Sequence, residues 1–238
     1  MVGMVLTTAP TTPHTPTYND LPVLLSRMTG DEKHEPSATS TLDVLWVLYQ
    51  RVLNVDPRNP EAADRDRFLL SKGHGPMAYY AVLAAHGFFP VEWLDEFGQP
   101  GSPLGHHPDG ALIPGVEIAS GSLGHGLPLG VGLALGLRAN GNDARTIVLV
   151  GDAELDEGSN HEAIVVGAAY GLDALTVVVI DNDSSSLGWP GGIARRFATE
   201  GWATVDVNGR DHDALTRALT THHSGRPTAV VAAVEPRK

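Results

Sequence analysis

The chain contains no cysteine, and this absence excludes disulfide bonds and thiolate metal sites. Basic residues are also scarce, because 16 lysines and arginines stand against 28 aspartates and glutamates, which gives a formal net charge of −12. Such an excess of negative charge disfavours nucleic acid and anionic membranes as partners. The longest apolar run, residues 127–137, is interrupted by three glycines and is too short to span a bilayer.

The N-terminal segment does not combine a basic stretch with an apolar one, so we expect a cytoplasmic protein rather than a secreted one. Residues 1–17 are rich in threonine and proline and carry little charge, which is typical of a disordered leader. The whole chain of 238 residues is long enough for one sizeable domain with a proper core. We therefore assign residues 18–238 to a single domain.

Short β-branched runs alternate with helical patterns along most of the chain. The predicted strands are 68–70, 146–150, 176–180, 204–207 and 228–234, and the predicted helices include 20–27, 41–53, 77–86, 127–138 and 158–170. Thr39, Ser40 or Thr41 could cap the second helix, and a long loop rich in glycine and proline spans 98–114. This alternation predicts an α/β fold with a mostly parallel sheet of about six strands, covered by helices on both faces.

Asp152 and Asn182 each follow a predicted strand, and one helix connects the two strands. Parallel strands joined in this way have their C-terminal ends side by side, where ligands of open α/β sheets bind. A carboxylate, an amide oxygen and a nearby backbone carbonyl such as that of Ser184 suit Mg²⁺ shared with a phosphate. The sequence therefore predicts a metal-diphosphate site, although an acidic helix start alone would also explain residues 151–157.

Two other segments leave alternatives open. The glycines from Gly121 to Gly126 fit the dinucleotide-binding fingerprint poorly, and the glycine-rich helix that follows is explained equally well by core packing or by an interface. Among eleven histidines, His74 and His107 are notable because glycine or proline flanks them in polar loops. A zinc site formed by His106, His107 and Asp109 is a weaker alternative, since adjacent residues seldom face one metal.

Five motifs in order along the chain resemble those of the thiamine-diphosphate enzymes of the transketolase group. They are Leu70-Ser-Lys-Gly-His-Gly75, Gly105-His-His-Pro108, Pro114-Gly-Val-Glu117, Gly121-Ser-Leu-Gly124, and Gly151-Asp152 with Asn182. The resemblance covers about residues 20–235 and is to the N-terminal, diphosphate-binding domain of that group. It implies thiamine diphosphate and Mg²⁺ as cofactors.

The resemblance also implies roles for individual residues. The magnesium ligands would be the side chains of Asp152 and Asn182 and the backbone carbonyl of Ser184. Contacts with the cofactor would come from Gly151, Ala153 and Glu154 at the diphosphate, and from Gly121, Ser122 and Leu123 at the aminopyrimidine. His34, His74 and His107 would surround the thiazolium and the substrate hydroxyls, where they would transfer protons. Glu157 matches the family's buried glutamate at the subunit interface.

The chain departs from the family pattern at three places. Ala153 replaces the usual glycine, at a cost of roughly 1 kcal/mol if the position requires positive φ. Asp183-Ser-Ser-Ser186 follows Asn182 where the family has Asn-Gly or Asn-Asn and then an apolar residue. His34 lies in Lys-His-Glu-Pro rather than in Gly-His-Pro-Gly.

In this family, a glutamate on a separate pyrimidine-binding domain activates the cofactor, and the 238 residues contain no such domain. The resemblance therefore implies the first subunit of a split transketolase, which transfers a two-carbon ketol unit from a ketose to an aldehyde. We expect it to need a partner chain with the pyrimidine-binding and C-terminal domains, as two copies of each. The alternatives are a subunit that decarboxylates a 2-oxo acid to make an acyloin or deoxysugar, and a non-catalytic scaffold.

Overall fold

The computed structural model describes residues 16–29 and 35–235 of the chain, without the side chains of residues 35–37. The strands in this part are β1 (Arg67–Leu70), β2 (Thr146–Gly151), β3 (Leu175–Asp181), β4 (Ala203–Asn208) and β5 (Thr228–Ala233). The α-helices are α1 (Leu21–Arg27), α2 (Glu35–Val47), α3 (Met77–Ala85), α4 (Gly126–Ala139), α5 (Gly158–Ala169), α6 (Ile193–Thr199) and α7 (His212–Thr220).

The five strands form one parallel sheet in the order β1-β2-β3-β5-β4. Alternate residues of the central strands enter two different cores: Ile147 and Leu149 pack on one face of the sheet, and Val148 and Val150 on the other. A sheet buried on both faces explains why its strands form continuous apolar runs. The predicted α/β fold is confirmed, and the described residues form five strands where about six were predicted.

Two helix predictions need correction. The second helix begins at Glu35 rather than at Thr41, so the predicted cap is wrong, and the Thr41 hydroxyl donates to the Ala38 carbonyl inside the helix at 3.0 Å. Its last turn, Leu48–Val52, is π-helical. Helix α6 was not predicted at all, because its only buried residues are Ile193 and Phe197, and two positions are too few to reveal a period.

The glycines of α4 serve different purposes on different faces of the helix. A Cβ atom at Gly130 would lie 2.4 Å from Cγ2 of Val148, so this glycine allows α4 to pack directly on β2. In the described part of the chain, nothing outside the adjoining turns of α4 itself lies within 4 Å of a Cβ built at Gly132 or Gly136. Core packing therefore explains Gly130, whereas the face with Gly132 and Gly136 remains uncovered in the single chain.

The remaining predictions concern the long loop, the N-terminal leader and membrane-spanning segments. Residues 97–125 are fully described and form turns and bends, which include the predicted loop 98–114. The predicted leader lies outside the described residues except for Pro16 and Thr17, and Thr17 caps the 3-10 turn Tyr18–Asp20. Among the residues that the structure describes, none of the helices is both long and apolar enough to cross a membrane.

Candidate active site

Asp152 and Asn182 lie side by side at the C-terminal edge of the sheet. Strands β2 and β3 pair in a register that sets Gly151 against Ile180, so both strands end at the same level. The Asp152 amide continues this pairing by donating to the Ile180 carbonyl at 3.0 Å. Both side chains are almost completely buried, with 1% of Asp152 and 6% of Asn182 exposed.

The Asp152 carboxylate accepts hydrogen bonds from neutral donors on both oxygens. Oδ1 accepts from the Ala153 amide at 2.8 Å and from the Ser184 hydroxyl at 2.5 Å. Oδ2 accepts from the amides of Ser184 at 2.6 Å and Ser185 at 3.2 Å. Ser184 therefore lies directly against Asp152, where a third metal ligand from this chain would have to be.

The environment of these residues fits Mg²⁺. The Asn182 Oδ1 atom is buried and has no hydrogen-bond partner among the described residues. A buried oxygen of this kind needs a partner, and a cation could provide it. Burial, together with the charges of Asp152 and Asp183, raises the pKa of Asp181, although a backbone hydrogen bond from Asp183 opposes the rise. The edge of the sheet thus has a negative potential that a divalent cation would relieve.

The same residues limit what kind of metal site is possible. The described residues include no cluster of three or more histidine, cysteine or acidic side chains that could enclose an ion. Mg²⁺ suits such a partial site, since it commonly takes one or two protein carboxylates and completes its shell with water and phosphate oxygens. A dedicated zinc site at His106 and His107 has no support from this arrangement.

Two of the departures from the family pattern, Ala153 and Asp183, lie next to these ligands, and only Asp183 has an unusual backbone conformation. Ala153 begins the 3-10 turn Ala153–Asp156 and does not have positive φ, so the expected strain is absent there. Asp183 has a φ of +55°, which makes it the non-glycine residue with positive φ in the described chain. The left-handed conformation costs about 1 kcal/mol, and aspartate tolerates it better than most residues.

Glu154 ties several loops together beneath the site. Its side chain is 1% exposed, and its Oε1 atom accepts from the Ser71 hydroxyl and from the Gly124 amide at 3.0 Å. Ser71 in turn accepts from the Gly126 amide at 3.0 Å. Burial raises the pKa of Glu154, against the lowering effect of these hydrogen bonds. The diphosphate contact that the resemblance implies for Glu154 stays a prediction, and the structure shows that its side chain is turned into the protein.

The structure brings His74 and His107 together. Their ring centroids are 5.7 Å apart and the ring planes are nearly perpendicular, at 76°. Gly121 packs against His107: the φ of Gly121 is +125°, and a Cβ there would lie 2.6 Å from Cδ2 of His107. The ring of His106 instead packs against the ring of Phe97, with a distance of 5.4 Å between the ring centroids. His34 lies outside the described residues.

The turn at residues 121–124 needs its glycines. Gly124 has a φ of +81°, and a Cβ there would come within 2.6 Å of the Glu157 side chain. Ser122 is exposed and Leu123 is partly buried in the same turn. Glu157 itself is exposed in the single chain, which leaves it accessible to another subunit.

Lys72 is a residue of the site that the sequence analysis missed. Its aliphatic chain lies over the end of β2, because a Cβ at Gly151 would be 3.2 Å from Cδ of Lys72. Its Nζ atom approaches the Ser40 hydroxyl at 3.4 Å. Lys72 therefore adds a positive charge to an otherwise acidic crevice. In the sequence, the one sign of such a role is that Lys72 lies within the Ser-Lys-Gly-His motif.

Comparison with known proteins identifies the family of this chain. The family model described as "Transketolase, thiamine diphosphate binding domain" matches residues 30–234. One of the subunits of apulose-4-phosphate transketolase from Actinobacillus succinogenes is 36% identical over 206 residues, which cover 84% of this chain and 75% of that protein. A protein from Rhodococcoides fascians named ferredoxin fas2 is 58% identical, over 91% of this chain and 72% of its own length. Ferredoxins hold iron–sulfur clusters through cysteines, which this chain lacks.

Solved structures share the fold. Transketolase from Leishmania mexicana superposes with a TM-score of 0.76 at 26% sequence identity, and the match covers 92% of this chain. Transketolase from Campylobacter jejuni gives a TM-score of 0.75, also at 26% identity. The chain spans only 37% of the length of each of these two structures. The family model, together with the relative that is named as a transketolase subunit and is covered over 75% of its length, establishes the family. This chain belongs to the transketolase family, as a thiamine-diphosphate-binding domain.

Proposed function

We propose that this chain is the N-terminal, diphosphate-binding subunit of a two-component transketolase-like enzyme. The complete enzyme transfers a two-carbon ketol unit from a ketose to an aldehyde, with thiamine diphosphate and Mg²⁺. The observation that carries this proposal is the Asn182 amide oxygen beside Asp152, which is buried and has no hydrogen-bond partner among the described residues, at the edge where parallel sheets bind ligands.

The chain's own residues take different roles around the cofactor. Asp152, Asn182 and the Ser184 carbonyl hold Mg²⁺, and Gly151 and Ala153 line the diphosphate position. Residues 121–123 contact the aminopyrimidine side. Thiamine diphosphate, when bound, supplies the carbanion chemistry that an ordinary side chain cannot provide.

Proton transfer falls to the histidines at the mouth of the site. His74 and His107 come from two different loops but share one contact, so they can act on the same substrate hydroxyl or carbonyl oxygen. Such groups typically contribute about 10²–10⁴-fold to the rate. His34 belongs to this group by its motif alone.

A partner chain completes the enzyme. We expect it to carry the pyrimidine-binding and C-terminal domains and to assemble as two copies of each chain. Three relatives that are themselves named as transketolase subunits support a divided enzyme. The outer faces of α4 and α5 offer a surface for assembly, because Leu129, Val165 and Tyr170 are 51%, 46% and 58% exposed. Glu157 lies at the start of α5, next to this surface.

The test is an activity assay on the chain purified with and without its partner. We expect ketol transfer only from the complex, in the presence of thiamine diphosphate and Mg²⁺. Carbon dioxide release from pyruvate would instead favour the decarboxylating alternative. A complex that forms but binds no cofactor would support the scaffold alternative.

A further inference from the structure

Three consecutive serines, residues 184–186, follow β3 and are held by two aspartates of the turn after β2. We call them the serine loop. Asp156 accepts the Ser185 hydroxyl on Oδ1 at 2.8 Å, and the Ser186 amide and hydroxyl on Oδ2, both at 2.9 Å. Asp152 accepts from the other end of the loop, through Ser184 and the Ser185 amide. Two carboxylates four residues apart thus share the loop between them.

Metal binding must change one of these two attachments. A carboxylate has about four lone-pair sites, and Asp152 accepts from four donors when it has no cation. A cation on Asp152 therefore displaces some of its hydrogen bonds, and the serine loop loses contacts at that end. The three hydrogen bonds to Asp156 lie on a different side chain and do not compete with the cation.

We propose that Asp156 is a positioning residue that keeps the serine loop in place while Asp152 exchanges hydrogen bonds for Mg²⁺. Without Asp156, the serine loop would be held at this end by the bond between the Ser184 carbonyl and the cation alone, once the cation had displaced the Ser184 amide and hydroxyl from Asp152. The inference rests on the proposed function, because it takes Asp152, Asn182 and Ser184 as the metal-binding residues. It adds a residue to which the family resemblance assigned no role.

The first measurement is the metal affinity of the full 238-residue chain with thiamine diphosphate at saturation. Mn²⁺ serves as the probe, because its paramagnetic resonance signal reports the free ion directly. Replacing the outer support of a metal ligand typically weakens affinity 10–100-fold, and we expect Asp156→Ala to weaken Mn²⁺ binding within about this range. Glu162→Ala is the matched control, since Glu162 is an exposed carboxylate on nearby α5.

The second measurement separates positioning from a merely structural role. In the metal-free chain, Asp152 still holds Ser184 and Ser185, so Asp156→Ala should speed amide hydrogen exchange at Ser186 and Leu187, whose amides donate to Asp156, and not at Ser184 or Ser185. With Mg²⁺ and thiamine diphosphate added, exchange should also become faster at Ser184 and Ser185 of the variant. The wild-type chain should keep those amides protected. Exchange in the variant that does not change on addition of metal would overturn the proposal.

Substitutions in the loop test whether Asp156 acts through the serines. Ser186→Ala should weaken Mn²⁺ binding less than Asp156→Ala does, and the double variant should bind no more weakly than Asp156→Ala alone. If Asp156→Ala abolishes binding while Ser185→Ala and Ser186→Ala have no effect, Asp156 is itself a ligand and the positioning role is wrong. Wild-type affinity in Asp156→Ala would refute the inference but leave the metal site intact. Failure of the wild-type chain to bind Mn²⁺ both alone and in complex with its partner would refute the metal site and the proposed function with it.

Discussion

Removal of the Glu154 carboxyl should loosen the base of the site. In the Glu154→Ala variant, the Ser71 hydroxyl and the Gly124 amide both lose their buried acceptor. An unsatisfied buried donor costs about 1–3 kcal/mol, so the two together predict a loss of about 2–6 kcal/mol in the free energy of unfolding. Domains are typically stable by only about 5–15 kcal/mol, so the loss should be obvious in urea denaturation.

A double-mutant cycle shows whether this loss comes from the named contacts. Because Ser71 and Glu154 share a hydrogen bond, the effects of Ser71→Ala and Glu154→Ala should not add. Glu162→Ala, on the exposed face of α5, should stay within about 0.5 kcal/mol of the wild type. A loss below about 1 kcal/mol for Glu154→Ala, or full additivity with Ser71→Ala, would refute the role of Glu154 as a tie between loops.

Three further predictions concern the metal, the histidines and pH. Asp152→Ala should lose Mn²⁺ binding, because the site then has no carboxylate, and wild-type affinity would disprove the assignment. His74→Ala and His107→Ala should each lower turnover by about 10²-fold or more while cofactor affinity changes little, whereas the exposed His222→Ala should be silent; equal small effects at all three would make these histidines incidental. Burial lowers the pKa of His86, so the folded chain favours the neutral ring. Its stabilising contribution is present above the ordinary histidine pKa of about 6.5 and is lost as the pH falls through that value towards the folded-state pKa. Between pH 7.5 and about 5.5, the melting temperature of His86→Phe should therefore decrease less than that of the wild type, because phenylalanine has an aromatic ring that cannot titrate. An equal decrease in the two proteins would contradict the prediction.

The sheet could be predicted closely because its strands are buried on both faces. Such strands appear as short apolar runs bounded by polar residues, and the predicted ends of β2 and β3 agree with the structure to within one residue. Chain order and parallel pairing then placed Asp152 beside Asn182 without any knowledge of side-chain contacts. Elements with few apolar residues were harder to predict from the sequence. Helix α6 buries only two residues, which is too few to show a period, and α2 begins in a polar segment.

The orientation of side chains within the site could not be predicted. Glu154 turns inward because of Ser71, which is 83 residues away in the chain, and Gly124, which is 30 residues away. Asp156 meets the serine loop across a separation of 29 or 30 residues. Contacts of this kind depend on how three loops pack at one edge, and local sequence patterns contain no information about that packing.

The central claim is that Asp152 and Asn182 bind thiamine diphosphate through a shared magnesium ion. The decisive experiment is titration calorimetry of thiamine diphosphate into the complex of this chain with its partner, and into the same complex with Asn182→Ala, first with Mg²⁺ and then with a chelator. We expect the wild type to bind the cofactor only with Mg²⁺ and Asn182→Ala to lose most of this metal-dependent affinity. Binding that is equally tight with the chelator, or unchanged in Asn182→Ala, would contradict the claim.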